Sequence, residues 1–206
     1  MSMDWDGYEP YDAGIAAPLN TLPRAEARQA FKRGMETKPA RIEMLRRLVK
    51  ANGIELGTSD AAIQDLNDWF FTDIEPDAEA PGRPLVDWYS VIHDVALFLG
   101  EVMIERHPHL HWEFFTWGKR NVSFQRHVIM GMSTEDPKFR TNIDIYRMVS
   151  QYAHDIIDSR GPIPHYGTVY VRGVAIDVDA VAASHRRKEI ETDAFSDWLR
   201  MVGQRA

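Results

Sequence analysis

Cysteine is absent from the 206 residues. That absence removes disulfides, thiol nucleophiles, thiolate zinc sites and iron–sulfur ligation together, and it suits a reducing compartment. Long hydrophobic runs are missing too. No stretch of the sequence approaches the ~20 apolar residues that a membrane helix needs. The opening Met1-Ser2-Met3-Asp4-Trp5-Asp6 has no basic region and no apolar core, so neither a signal peptide nor a membrane span is expected. Positive charge is scarce: 24 Lys and Arg stand against 31 Asp and Glu, a formal net charge of −7. Such a chain repels phosphate backbones. Its best basic run, Arg186-Arg187-Lys188, is too short to offset that, so no nucleic-acid partner is expected. Common catalytic signatures are missing as well. There is no Gly-x-Gly-x-x-Gly, Walker-type loop, Gly-x-Ser-x-Gly or His-Glu-x-x-His.

What remains has ordinary globular composition, 44% hydrophobic and 27% charged. A chain of this length can bury a large core without crosslinks. Residues 1–20 carry Asp4, Asp6, Glu9 and Asp12, no Lys or Arg, and punctuating Gly and Pro, and read as an acidic irregular arm. Its Trp5, Tyr8 and Tyr11 imply that it packs on something. The remainder, 21–206, reads as a single α+β domain. Helical composition over 22–36 is followed by Pro39, which suits the start of a second helix, with Ile42, Leu45, Leu48 and Val49 at helical spacing. Thr58 or Ser59 caps a third helix carrying Ile63, Leu66, Trp69 and Phe70. The strongest element, about 85–106, is nearly apolar around its middle and is expected to be the central buried helix. Aromatic and β-branched residues over 110–117 and 121–130, separated by Gly118-Lys119-Arg120, read as a β-hairpin. Thr141 and Asp144 resemble a capping box before another helix, β-type runs fill 168–176, and Thr192 caps a last helix. The expected fold is α+β: five to six helices packed on a small antiparallel sheet built around the 110–130 hairpin.

Three groups of residues could carry chemistry. In His107-Pro108-His109-Leu110-His111-Trp112-Glu113, an extended chain would turn His109, His111 and Glu113 to one face. Two imidazoles and a carboxylate suit a divalent metal such as zinc, and one hairpin register would add His127. Such a cluster is more often structural. A two-residue turn at Lys119-Arg120 would instead place Glu113 opposite Arg126, as a cross-strand ion pair. On the long helix, Asp87, Asp94 and Glu101 recur every seven residues. This stripe is ordinarily a solvated side, yet Asp94 lies in the most apolar stretch. With Arg126, Asp94 could supply polarity to a small-molecule pocket between helix and hairpin. At the hairpin tip, Trp117, Lys119 and Arg120 form a candidate contact surface for a protein partner. Trp112 and Phe114 read better as packing against the long helix. His154-Asp155 and His165-Tyr166 have no partner set.

From Ala51-Asn52-Gly53-Ile54-Glu55-Leu56 to Trp69, and from Leu99-Gly100 through Arg106 and Pro108 to Trp112, the chain resembles an uncharacterised, mainly actinobacterial family of bacterial proteins of unknown function. The likeness covers about residues 38–130 and implies architecture, with no substrate, cofactor or catalytic residue. In plan it is similar to small bacterial immunity and toxin-neutralising proteins, a likeness of fold only. The first expectation is therefore a cytoplasmic, non-enzymatic, immunity-like protein that binds another protein and needs no cofactor. The alternatives are a metal-dependent enzyme or metal-binding protein, and a small-molecule-binding protein.

Overall fold

The computed structural model describes residues 3–15, 17–134, 141–161, 168–171, 174–177 and 190–206. Arg186–Lys188 and His165-Tyr166 lie outside them. The elements are α1 (Arg24–Ala51), α2 (Asp60–Asp73), α3 (Trp88–Arg106), β1 (His111–Phe114), β2 (His127–Met130), α4 (Ile145–Arg160), β3 (Thr168–Val171), β4 (Val174–Asp177) and α5 (Ala194–Gly203). The fold is α+β, with β1–β2 and β3–β4 forming two separate antiparallel pairs.

The expected break at Pro39 does not occur: α1 runs through it without interruption. A proline inside a helix costs about 3 kcal/mol. Burial explains why the helix continues. Ala27, Ala30, Gly34, Arg41, Leu45 and Leu48 are buried at spacings of three, four and seven, one stripe in register on both sides of the proline. Pro39 itself lies on the exposed face.

Helix α3 is the centre of the core, as its apolar composition predicts. Thirteen of its 19 residues are buried, and it packs against α1, α4 and α5. Around it close Phe70 of α2 and Phe195 of α5, each worth ~1.5–3 kcal/mol of apolar burial. Ser59 caps α2 by accepting from Ala62 N at 3.2 Å. The caps of α4 and α5 differ from expectation. Asp144 is itself the N-cap of α4 and accepts from Arg147 N at 3.0 Å, so Thr141 is outside the helix. Helix α5 is preceded by Asp193, and the Thr192 carbonyl accepts from Asn67 Nδ2 of α2 at 2.6 Å.

The hairpin also departs from its expected register. The strands are shorter than anticipated and joined by residues 115–126 rather than a two-residue turn. His111 pairs with Met130, Trp112 with Ile129, Glu113 with Val128 and Phe114 with His127. The connection folds back on itself, with Gln125 N donating to the Phe115 carbonyl at 2.6 Å. Gln125 holds φ 61, a left-handed conformation unusual without glycine. Its buried side-chain amide donates to the carbonyls of Leu19 and Leu22 at 2.7 and 3.0 Å, which offsets the strain and ties the arm to the start of β2. Ile129 also bridges to Ile143, so the chain entering α4 extends the sheet.

Candidate functional site

The acidic arm packs down as its aromatics imply. Met3 and Tyr8 are buried, and Asn52 exchanges hydrogen bonds with the backbone of Asp4. The anchor is Asp94. Its carboxylate is fully buried and receives Arg41 in a fork, Nε to Oδ1 at 2.9 Å and Nη2 to Oδ2 at 2.6 Å, plus the Tyr8 hydroxyl at 2.6 Å. A planar guanidinium is suited to this two-point grip. Arg41 Nη1 donates on to the Glu9 carbonyl at 2.7 Å, and its guanidinium lies over the rings of Tyr8 and Tyr11. Burial, then the neighbouring Asp94 carboxylate, holds the Tyr8 phenol far above its ordinary value.

Two of the three acids in the seven-residue stripe, Asp94 and Glu101, therefore meet helix α1. Lys38 meets Glu101 at 2.6 Å one step along the same seam, and Glu101 also accepts from the Trp112 indole at 2.8 Å. The stripe stitches α1, α3 and β1 together.

Beside this seam lies a cavity of about 430 Å³, within the usual size range for small-ligand sites. Its walls come from the arm (Tyr11, Ile15, Leu19), α3 (Tyr89, Ser90, His93, Leu97), Trp112, Arg126, His127, and the head of α4 (Asp144, Ile145, Tyr146). Tyr11 stacks on His93 with ring centres 3.9 Å apart, and its backbone N–H donates to Ser90 Oγ at 2.8 Å.

The polar groups here are unusual for a folded interior. Arg126 Nε lies 2.8 Å from Asp144 Oδ2, and the guanidinium sits over the Tyr146 ring. The two form a close ion pair, and Oδ2 accepts no hydrogen bond besides it. His93 Nδ1 faces Asp94 Oδ1 at 3.1 Å. Asp94 can only accept there, which places a proton on Nδ1. His93 Nε2 is buried without a partner, and so is Nε2 of His127. Native interiors satisfy roughly 90% or more of such atoms, and each orphan costs about 1–3 kcal/mol. Among the described residues five buried side-chain atoms accept or donate no hydrogen bond. Two are the core indoles of Trp69 and Trp88; of the three on residues lining this one cavity, Asp144 Oδ2 is ion-paired with Arg126 and the two imidazole Nε2 atoms have no partner. Desolvation, helped by nearby His93 and Arg126, lowers His127 to about 4, so its ring is neutral at neutral pH. Desolvation raises the Asp144 carboxyl against the pull of Arg126.

The residues expected to matter fall into three groups. Of the small-molecule pair, Arg126 lines the cavity, while Asp94 stands behind it with its oxygens committed to Arg41, Tyr8 and His93. The metal set is not brought together. His109 and His111 are exposed, and His111 Nε2 approaches Glu113 at 3.6 Å. His127 lies three rungs away, against Phe31 and Gly34 of α1. Among the described residues no group of three or more His, Cys, Asp or Glu is placed to hold a metal ion. The Glu113–Arg126 ion pair is absent for the same reason of register, and Arg126 pairs with Asp144 instead. At the tip, Trp117 is 52% exposed and Lys119 and Arg120 are exposed beside it. The reading from sequence missed Tyr11, His93, Asp144 and Tyr146. Only the His93-Asp94 adjacency carried a signal. Among the described residues no helix is long and apolar enough to cross a membrane. No protein-family model, no curated protein and no solved structure matches the chain.

Proposed function

We propose that this protein binds a small organic molecule in the cavity between the arm, α3, the hairpin and the head of α4. One observation carries the reading: two buried imidazole nitrogens without a partner, His93 Nε2 and His127 Nε2, belong to side chains around a single aromatic-walled cavity that also holds the Arg126–Asp144 ion pair. A ligand that supplies hydrogen-bond partners there removes a standing cost, and the aromatic walls supply apolar contact. The test is a titration of the full chain with small aromatic fragments, followed by backbone amide NMR. Shifts should cluster at residues 11–20, 89–97, 126–127 and 144–146, and Ile15→Trp, which fills the cavity from the arm, should abolish them. Shifts confined to other surfaces, or none for any fragment, refute the proposal.

A second reading has its own observation. The β1–β2 connection carries two exposed large hydrophobics, Trp117 and Val122, beside Lys119 and Arg120, which supports an immunity-like contact with an acidic protein partner. A partner recovered at native abundance and lost on Trp117→Ala with Arg120→Ala would support it. A partner retained by that variant would refute it.

A further inference from the structure

Arginine can only donate hydrogen bonds and a carboxylate can only accept them. Arg126 and Asp144 place those two opposite capacities 2.8 Å apart on the wall of the cavity. Their charges cancel. An anionic ligand would compete with Asp144 for Arg126, and a cationic one would compete with Arg126 for Asp144. Either would leave one of the pair buried and unmatched, a costly state. The ligand is therefore expected to be neutral. Flat rings suit the walls, because Tyr11, Tyr89, Trp112 and Tyr146 all line the space. Arg126 is held against the Tyr146 ring, 5.4 Å from its centre, which keeps the guanidinium flat on the wall.

The proposal rests on the cavity being a small-molecule site, and it names the ligand class. We infer that the ligand is a neutral, planar ring compound with a lactam edge, an N–H beside a carbonyl. Asp144 Oδ2 accepts from the ring N–H and Arg126 donates to the ring carbonyl. Arg126 Nε is ion-paired with Oδ2, and its side chain is 29% exposed, so a turn of Arg126 toward the ligand's carbonyl admits the ligand's N–H. His93 Nε2, which has no partner within the protein, is available to a second polar group on the same ring system.

Four two-ring probes of similar size separate the possibilities: isoquinolone, N-methyl isoquinolone, naphthoate and naphthalene, each titrated calorimetrically into the full-length chain. Isoquinolone should bind tightest. Its N-methyl derivative, which keeps the carbonyl and loses the N–H, should bind about tenfold more weakly. Asp144→Ser should erase that preference. Serine still caps α4 toward Arg147 N–H but is too short to accept from the ligand. Should Asp144→Ser fail to fold, the comparison of isoquinolone with its N-methyl derivative on the unaltered protein decides alone. Equal binding of those two overturns the lactam proposal, as does tightest binding by naphthoate. Naphthalene binding as well as isoquinolone would keep the small-molecule site and overturn the ligand class. If none of the four binds, both fail.

Discussion

The grip of Arg41 on Asp94 is the contact most open to a quantitative test. Arg41→Met keeps much of the apolar stem and removes the guanidinium. Asp94 is then left with zero side-chain exposure and only the Tyr8 hydroxyl and the His93 ring as partners. Stranding one member of a buried ion pair costs about 3–5 kcal/mol. The lost bond from Nη1 to the Glu9 carbonyl adds to this by loosening the arm. Adding Asp94→Asn removes the stranded charge but keeps an oxygen for Tyr8 and His93, so Arg41→Met/Asp94→Asn should recover about 2 kcal/mol relative to Arg41→Met alone. The assay is urea unfolding followed by circular dichroism, with unchanged m-values as the condition for comparing midpoints. Amide exchange at Tyr11, whose N–H is held by Ser90, should quicken in the single variant as the cavity's outer wall loosens. A loss below about 1 kcal/mol for Arg41→Met, or a double variant less stable than the single, would refute the view that this pair is the buried anchor of the arm.

Three further outcomes are expected. The His127 ring is lowered from 6.5 to about 4, so the unfolded chain takes up its proton first. The associated stability is complete above pH 6.5 and is lost as pH falls toward 4. The full shift corresponds to about 3 kcal/mol, trimmed toward about 2 by the ring's partial exposure, and His127→Gln should flatten that part of the stability profile in chemical unfolding. A Cβ on Gly100 would stand 2.2 Å from Cζ2 of Trp112, whose indole is pinned to Glu101. Gly100→Ala should therefore cost about 1–3 kcal/mol in thermal unfolding and be partly rescued by Trp112→Leu. Asn67 is fully buried, donates to the Thr192 carbonyl at 2.6 Å and accepts from Phe195 N at 3.2 Å. Asn67→Leu should lower stability by about 2 kcal/mol and speed amide exchange selectively in α5.

Local patterns determined a good deal about this protein. The periodicity of α2, α3, α4 and α5 marks their buried faces directly, because a helix that packs must repeat its apolar residues at about 3.6. Ser59 and the aromatic arm were equally legible, since capping and aromatic burial depend on residue type at one place. The tertiary structure decided the rest. Pro39 reads locally as a helix start, and only the burial of one stripe from Ala27 to Leu48, against α3 and the hairpin, carries one helix through it. The pairing of β1 and β2 depends on the looped course of residues 115–126 and on Gln125 reaching Leu19 and Leu22, about a hundred positions earlier. A register two residues away from the one a tight turn would set moves Arg126 from Glu113 to Asp144. The partner of Asp94 lies 53 positions away on α1, so no spacing rule could find it. The cavity is likewise assembled from six separate stretches of chain. The physical reason is common to all of these. Periodicity and caps are set by neighbours within a few residues, whereas a buried charge or a binding wall takes its partner from whichever segment the packing brings into contact.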